Sequence, residues 1–306
     1  MAPAGTAVDV GGRTLTLTNL DKVLYPPNDE LPGGFTKAQV IDYYARIAPT
    51  MLPHVAGRAL TFHRFPNGVD QKGFFEKNCP KHRPDWVPVS VGPGSPPPQS
   101  CRLEEAAALV WAGNQAAIEI HAPMALADDL AAPRMVVFDL DPGAPAAMAE
   151  CAQVGLAIAD VLDAVGLQAW AKTSGSKGLQ LYVPVNGPLT HEHASGFALA
   201  VGQVVERRLP KQVVTVMTKA VRGGKIFIDW SQNSFHKTTI GVYSLRARPL
   251  PTVSTPVTWD EVQAAADGEA ELRFRAADVL DRVERLGDLF APTLTTVQVL
   301  PEANAG

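Results

Sequence analysis

Met135-Val-Val-Phe-Asp-Leu-Asp-Pro-Gly143 is the stretch whose reading decides the fold. Its apolar residues form a short run between Pro133 and Pro142-Gly143, which reads as a β-strand. Strand side chains alternate between faces, so Val136, Phe138 and Leu140 share one face and Asp139 and Asp141 share the other. The first face can enter a core. The second carries two carboxylates, about 7 Å apart along the strand. Paired carboxylates repel unless a cation lies between them, and hard divalent ions such as Mg²⁺ and Mn²⁺ take oxygen ligands of this kind. The plainer reading is a strand running into a solvated Asp-Pro-Gly turn. Turn chemistry accounts for Asp141 but not for Asp139, one step deeper in the apolar run.

The chain of 306 residues is long enough for one large domain or two closely packed ones. No run of eighteen apolar residues predicts a membrane span, and Met1 to Val8 lacks the pattern of a secretory signal. Cys79, Cys101 and Cys151 are few and far apart, so a reducing cytoplasm and no disulfide are expected. The net charge of −4 argues against a nucleic-acid binder, but placement matters more than the total. Between Val205 and Leu250 stand nine Lys/Arg against Glu206 and Asp229 alone. A basic face on an acidic body is one reading of this run; a solvated surface is the other.

Residues 1–12 read as a flexible arm. A single domain is expected over 13–290, divided into an N-terminal module (13–133) and a second module (134–290), with 291–306 as a tail. Thr36 caps a helix from Lys37 to about Ala48. The seven prolines from Pro80 to Pro98 predict a long loop. A helix from Pro145 to Val165 follows the carboxylate strand, and strands are expected at Leu167–Lys172 and Leu179–Val185. In the second of these, Leu179, Leu181 and Val183 point one way and Gln180 and Tyr182 the other. The pattern is that of a mixed α/β protein whose central sheet begins at the carboxylate strand.

Lys172-Thr-Ser-Gly-Ser-Lys-Gly178 joins two of these strands. Gly175 and Gly178 let the backbone turn its N–H groups inward, and Ser174, Ser176 and Lys177 add donors and a charge, which suits a phosphate. The order is wrong for a Walker loop, and a plain Gly/Ser hairpin is the competing reading. Asp229 ends the apolar strand Ile226-Phe-Ile-Asp229, where it can complete a three-carboxylate site with Asp139 and Asp141. Arg222 and Arg246 stand near strand ends, within reach of phosphate oxygens. Cys79 and His82 have a metal-like spacing but lack a second pair.

Together these segments resemble the archaeo-eukaryotic primase superfamily, and within it the polymerase domain of bacterial ligase D, the end-joining repair enzyme. The resemblance runs from about Leu15 to Leu289. It rests on Thr18-Asn-Leu-Asp-Lys-Val-Leu-Tyr-Pro26, Phe65-Pro-Asn-Gly-Val-Asp-Gln71, Phe74-Phe-Glu-Lys77, Glu119-Ile-His-Ala-Pro123, Phe138-Asp-Leu-Asp-Pro-Gly143, Thr173-Ser-Gly-Ser-Lys-Gly-Leu179 and Asp229-Trp-Ser-Gln-Asn233. It implies an α/β (α+β) primase fold, with an RRM-like catalytic sheet packed with an N-terminal α/β module. It further implies a primase-polymerase that extends a primer 3′-hydroxyl in gaps or at DNA ends during repair, preferring ribonucleotides.

The resemblance also assigns residues. Asp139, Asp141 and Asp229 would hold two Mn²⁺ or Mg²⁺ ions. His121, Ser174, Ser176, Lys177, Gln180, Arg222, Lys237 and Arg246 would hold the NTP or dNTP. Lys22, Lys37, His63 and Arg64 would take the 5′-phosphate of a downstream DNA strand, and Phe74 and Phe75 would stack on template bases. Basic side chains give phosphate affinity without reading sequence, and aromatic faces accept any base. Two positions depart from the family: Gln180 stands where a His is usual, and His63 where a Lys is commoner. The resemblance implies a monomeric, cytoplasmic and nucleoid-associated protein with no membrane partner, working beside a separate ligase or end-binding protein. With no nuclease or ligase motif in these residues, a stand-alone relative is expected. Two rivals remain: a DNA-end-binding module of the same fold, and a haloacid-dehalogenase-type phosphatase, whose nucleophile strand Phe138-Asp-Leu-Asp-Pro-Gly143 also resembles.

Overall fold

A computed structural model describes residues 5–301, which fall into two units. Unit 1 comprises Met1–Ala122, Ile240–Ser254 and Phe274–Gly287; unit 2 comprises Pro123–Thr239, Thr255–Arg273 and Asp288–Gly306. This differs from a single cut between 133 and 134, because the chain returns to unit 1 twice.

Unit 1 opens with a hairpin of β1 (Thr6–Val10) and β2 (Arg13–Leu17), paired from Thr6↔Leu17 to Val10↔Arg13. Gly11 and Gly12 carry the positive φ values (60° and 83°) that a two-residue hairpin turn requires. The expected arm over 1–12 is therefore corrected for residues 6–12; residues 1–4 lie outside the described residues. Short strands β3 (Val23–Tyr25) and β4 (Phe35–Thr36) pair and lead into α1 (Lys37–Val55). A capping box between Thr36 and Gln39 starts α1. The helix then runs through Pro49 and Pro53, past the end expected at Ala48. Both prolines are exposed and four residues apart, so the hydrogen bonds they forfeit lie on the outward side.

The sheet of unit 1 contains β5 (Thr61–Arg64), β6 (Phe74–Glu76) and, later in the chain, β9 (Ala117–Ala122), with β5 between the other two. Between them, β7 (Val89–Val91), inside the stretch expected to be loop, pairs with β8 (Gln99–Cys101), just past it, and α2 (Ala106–Asn114) packs on α1. The structure also overturns the expectation of free thiols: Cys79 and Cys101 form a disulfide, with Cα atoms 4.8 Å apart. Their approach is prepared by the backbone, since Cys79 N donates to Gln99 O at 2.6 Å. Cys151 is free and buried.

Unit 2 begins with the hairpin of β10 (Ala125–Leu126) and β11 (Asp129–Pro133). Then follow β12 (Met135–Pro142), α3 (Met148–Asp163), β13 (Trp170–Thr173), β14 (Leu179–Pro184), α4 (His191–Arg208), β15 (Val213–Val214) and β16 (Ile226–Asp229). Strands β16, β12, β14 and β13 lie side by side in that order, all antiparallel. With α3 and α4 as crossovers this is a split βαβ-βαβ arrangement, the RRM-like sheet that the resemblance implies. On one face of it Val136, Phe138, Leu140, Leu179, Leu181, Val183, Ile226 and Ile228 are all fully buried. Cys151, Val154, Ile158 and Leu162 of α3 and Ala194, Ala198 and Val205 of α4 supply the opposing core. A buried aliphatic or phenyl side chain stabilises by roughly 1.5–3 kcal/mol, so this layer fixes the register of the whole sheet. The polar face is left for chemistry.

After β16 the chain forms β17 (Thr239–Ile240), which adds to β9, and Gly241 N donates to Ile120 O at 2.8 Å. β18 (Pro256–Val257) then extends the sheet of unit 2 beside β13, and α5 (Trp259–Ala266) packs on α3. α6 (Ala276–Leu286) belongs to unit 1 and α7 (Pro292–Thr295) to unit 2. The expected tail is not loose over 291–301: the Gln298 side chain bonds Gln168 and Pro184. No helix among the described residues is long and apolar enough to cross a membrane.

Candidate active site

The polar face of unit 2 carries one continuous row. Asp139 on β12 is directly opposite Asp229 on β16 and Gln180 on β14, and Gln180 is opposite Lys172 on β13. Directly opposed residues share a face, so Asp229, Asp139, Gln180 and Lys172 line up across four strands, with Asp141 two residues along from Asp139. Asp139 is half-buried and Asp141 exposed. Burial, and then the Asp141 carboxylate, push Asp139 up to about 7, although the Gln180 amide and the Lys172 charge oppose the rise. The Asp229 carboxylate is held from both sides: Ser231 N and Oγ donate to Oδ1 at 3.1 and 2.6 Å, and Gln232 Nε2 donates to Oδ2 at 3.1 Å.

Gln180 and Lys172 are 3% and 1% exposed. Gln180 Nε2 donates to Asp139 Oδ1 at 2.9 Å, while its Oε1 accepts from Lys172 Nζ and from the Tyr182 hydroxyl. The amide is thereby oriented: its acceptor end is occupied, so its donor end faces the aspartate. Lys172 Nζ also lies 5.2 Å from the Tyr182 ring centre. Lys172 was not singled out from the sequence; a lysine inside an apolar strand, just before the glycine loop, was the signal.

The loop after β13 folds around Ser174. Its Oγ accepts from Ser176 N (3.2 Å) and Gly178 N (3.1 Å), and its N–H donates to Gly178 O. A Cβ on Gly178 would stand 2.3 Å from Leu140 O, so only glycine lets this loop lie against the carboxylate strand. Lys177 is exposed at the tip. Gly143, just past the same end of β12, would place a Cβ 1.9 Å from Arg222 O. That approach brings the Arg222 loop to the carboxylate strand. Arg222 lies 3.5 Å over the Phe227 ring, and its Nε is buried with no hydrogen-bond partner. A buried guanidinium donor of this kind is equipped for an incoming oxyanion. Lys237 is exposed, in the loop after β16.

Unit 1 holds a second group, centred on Glu119, which is not among the residues expected from the sequence although it opens the segment Glu119-Ile-His-Ala-Pro123. The residue is 4% exposed on β9, directly opposite His63 on β5. Its Oε2 faces His121 Nε2 (2.9 Å) and His63 Nδ1 (3.1 Å); its Oε1 accepts from Arg246 Nε (2.9 Å) and Ala247 N (3.0 Å). Burial alone would raise the Glu119 pKa. The bonds from His121 and His63 and the Arg246 charge outweigh it and hold the carboxyl well below its usual range. Burial, which favours the neutral ring, lowers His121 from its ordinary value despite the attraction of Glu119. His63, Glu119 and His121 each offer a ligand atom within 4.8 Å of the others. Among the described residues they are the only such trio of His, Cys, Asp or Glu, so the three aspartates converge less tightly.

The aromatic and basic expectations of unit 1 meet at the sheet edge. Phe74 and Phe75 are 46% and 57% exposed on β6. Phe75 stacks on the His63 ring (centres 4.0 Å apart, planes within 11°), and Arg64 lies 5.3 Å from the Phe74 ring centre. Arg64 is also tied to Glu76 by a 3.0 Å ion pair. Lys37 is 5% exposed and donates to Thr18 O at 2.6 Å. Burial, then Lys22 and then Arg64, lower it to about 8, which places all three cations in one electrostatic cluster. Lys22 itself is exposed and reaches Asn67.

The sequence profile of the family described as LigD, primase-polymerase domain, matches residues 36–290. The multifunctional non-homologous end joining protein LigD of Mycolicibacterium smegmatis is 42% identical over 280 residues, covering 90% of this chain and 35% of that protein. The bifunctional non-homologous end joining protein LigD of Bacillus subtilis is 31% identical over 274 residues, covering 89% of this chain and 43% of that protein. The chain thus spans under half the length of these relatives. Among solved structures, the polymerase domain of Mycobacterium tuberculosis ligase D in complex with DNA is similar, with a TM-score of 0.84 and 41% identity over 93% of this chain and 99% of that one.

Proposed function

From the premise that this chain belongs to the LigD primase-polymerase domain family, we propose that it is a template-directed nucleotidyltransferase that extends a primer 3′-hydroxyl at short gaps or broken DNA ends. The observation that carries the reading is the row of Asp139 and Asp229 on one sheet face, with Asp141 beside them on the same strand. Three hard oxygen donors on adjacent antiparallel strands fit two Mn²⁺ or Mg²⁺ ions, and the repulsion that raises Asp139 is what a cation would relieve. Bound there, such ions would activate the attacking hydroxyl and neutralise the departing pyrophosphate. The chain's own residues do the positioning. Gln180 holds Asp139 through an oriented amide, and Ser231 and Gln232 hold Asp229. Ser174, Ser176 and Lys177 supply donors for the triphosphate, joined by Arg222 with its unpaired Nε and by Lys237. In unit 1, His121 and Arg246 serve the nucleotide; Lys22, Lys37, His63 and Arg64 serve the 5′-phosphate; Phe74 and Phe75 serve the template bases. Their exposure in free protein suits a stacking role, since a Phe without that use is ordinarily buried. Ribonucleotide preference and a separate ligase or end-binding partner complete the reading.

Primer extension on a gapped duplex, with Mn²⁺ and either NTPs or dNTPs, tests it. Template-matched extension is expected, abolished by Asp139→Ala and weakened when the gap lacks its 5′-phosphate. Binding of 5′-phosphorylated gapped DNA without extension would shift the reading to an end-binding module.

A further inference from the structure

We propose that His63, Glu119 and His121 form a site for a transition-metal ion of the Zn²⁺ class, built wholly from unit 1 and independent of the carboxylate row. Antiparallel pairing makes the site: His63 is directly opposite Glu119, and His121 follows Glu119 by two residues on the same strand face. Both imidazoles converge on one carboxylate oxygen, at 3.1 and 2.9 Å. In a tetrahedral zinc site with bonds of about 2.1 Å, neighbouring ligand atoms stand about 3.4 Å apart. Both distances are a few tenths of an ångström short of that, and all three ligand atoms lie within 4.8 Å of one another, so the two imidazoles must draw together around the carboxylate oxygen to share one ion.

The donor set selects the ion. Two imidazoles and one carboxylate suit Zn²⁺, Co²⁺ or Ni²⁺, whereas Mg²⁺ takes oxygen ligands. Three protein ligands leave a fourth position open to water or to a phosphate oxygen. The surroundings hold the ligands in place. Arg246 Nε and Ala247 N fix the other Glu119 oxygen, and Phe75 stacks flat on His63. The side chains of His63, Glu119 and His121 are 20%, 6% and 13% exposed, so the site is sheltered yet reachable.

The consequence rests on the proposed function. An ion here occupies the faces of His121 and His63 assigned to nucleotide and DNA, so Zn²⁺ acts as an inhibitor where Mn²⁺ at the aspartates acts as the cofactor. His63 sets this behaviour, because a lysine at the same position supplies charge but a poor ligand for the ion at neutral pH.

Co²⁺ absorption on the whole chain is the test, since low-coordinate Co²⁺ with nitrogen ligands gives strong visible bands and hexaaqua-like carboxylate sites do not. One equivalent of strong-band Co²⁺, displaced by Zn²⁺, is expected in the wild type and in Asp139→Asn. His63→Gln and His63→Lys should lose the bands and bind Zn²⁺ about 100-fold more weakly or worse, beyond what loss of a supporting partner gives. His63→Lys can still pair with Glu119, which guards against an unfolded variant, and circular dichroism checks both. Absence of bands in the wild type, or bands that survive His63→Lys, would overturn the site. This readout needs no polymerase activity, so it fails or succeeds separately from the proposed function.

Discussion

Gln180 donates from Nε2 to Asp139 Oδ1 at 2.9 Å and accepts at Oε1 from the buried Lys172. The amide passes the influence of a positive charge to a carboxylate whose own neighbours are negative. Lys172 is one of the two groups that lower Asp139 against burial and Asp141. Lys172→Met should therefore raise Asp139 further. Divalent-ion binding at pH 7 should weaken several-fold and recover by pH 9, where Asp139 is ionised in either protein. Isothermal titration with Mn²⁺ at the two pH values measures this. Equal loss at both would assign Lys172 to packing alone.

The raised Asp139 has a sign for stability. Its folded pKa, about 7, lies above the ordinary 3.8, so between those values the folded chain holds a proton that the unfolded chain has lost. The metal-free protein should lose stability as pH rises through that window. Asp139→Asn, which keeps the shape and removes the charge, should stabilise it on the order of 2 kcal/mol at pH 8 while abolishing synthesis. Urea melts without and with Mn²⁺ check this: the metal should stabilise the wild type and leave the variant unmoved.

The Asp139–Asp141 pair was legible because its information is local; Asp229 was legible as an acid at a strand end, and its place opposite Asp139 comes from the β12–β16 pairing. Strand alternation places Val136, Phe138 and Leu140 opposite Asp139 and Asp141, and the buried face of unit 2 follows that pattern. Ser174 and Gly178 were legible as a loop for the same reason. What escaped depends on pairing between distant segments. Glu119 becomes a hub only when β5 pairs in register with β9 and Arg246 returns from the far end of the chain. The Cys79–Cys101 disulfide needs the β7–β8 hairpin, hidden in a proline-rich stretch without periodicity. Of the first hairpin, the strand over Arg13–Leu17 is legible and its partner Thr6–Val10 is not, although Gly11-Gly12 between them carries the signal.

That disulfide closes a separation of 22 residues, which in the chain-entropy account stabilises by about 3 kcal/mol. Reduction, or Cys79→Ser, should lower stability by that order. The measurement is a urea melt with and without dithiothreitol. The reductant should shift the wild type toward the variant and leave the variant itself in place. If reductant does not move the wild type, the bond is absent in solution.

Lys37 gives the pH test of the basic cluster. Burial, Lys22 and Arg64 lower it from 10.5 to about 8. Between those values the unfolded chain binds the proton that the folded chain has released, so stability rises with pH across that window. Lys37→Met should stabilise the fold at pH 7 on the order of 1–2 kcal/mol, after loss of the hydrogen bond to Thr18 O. DNA binding should move the other way, because a 5′-phosphate needs the charged amine. The preference for 5′-phosphorylated over 5′-hydroxyl gapped duplex, read by fluorescence anisotropy, should fall about tenfold from pH 7 to pH 9. Lys37→Arg, charged throughout, should hold its preference over that range. A wild-type preference that stays level would remove Lys37 from the phosphate site and leave Lys22 and Arg64 to carry it.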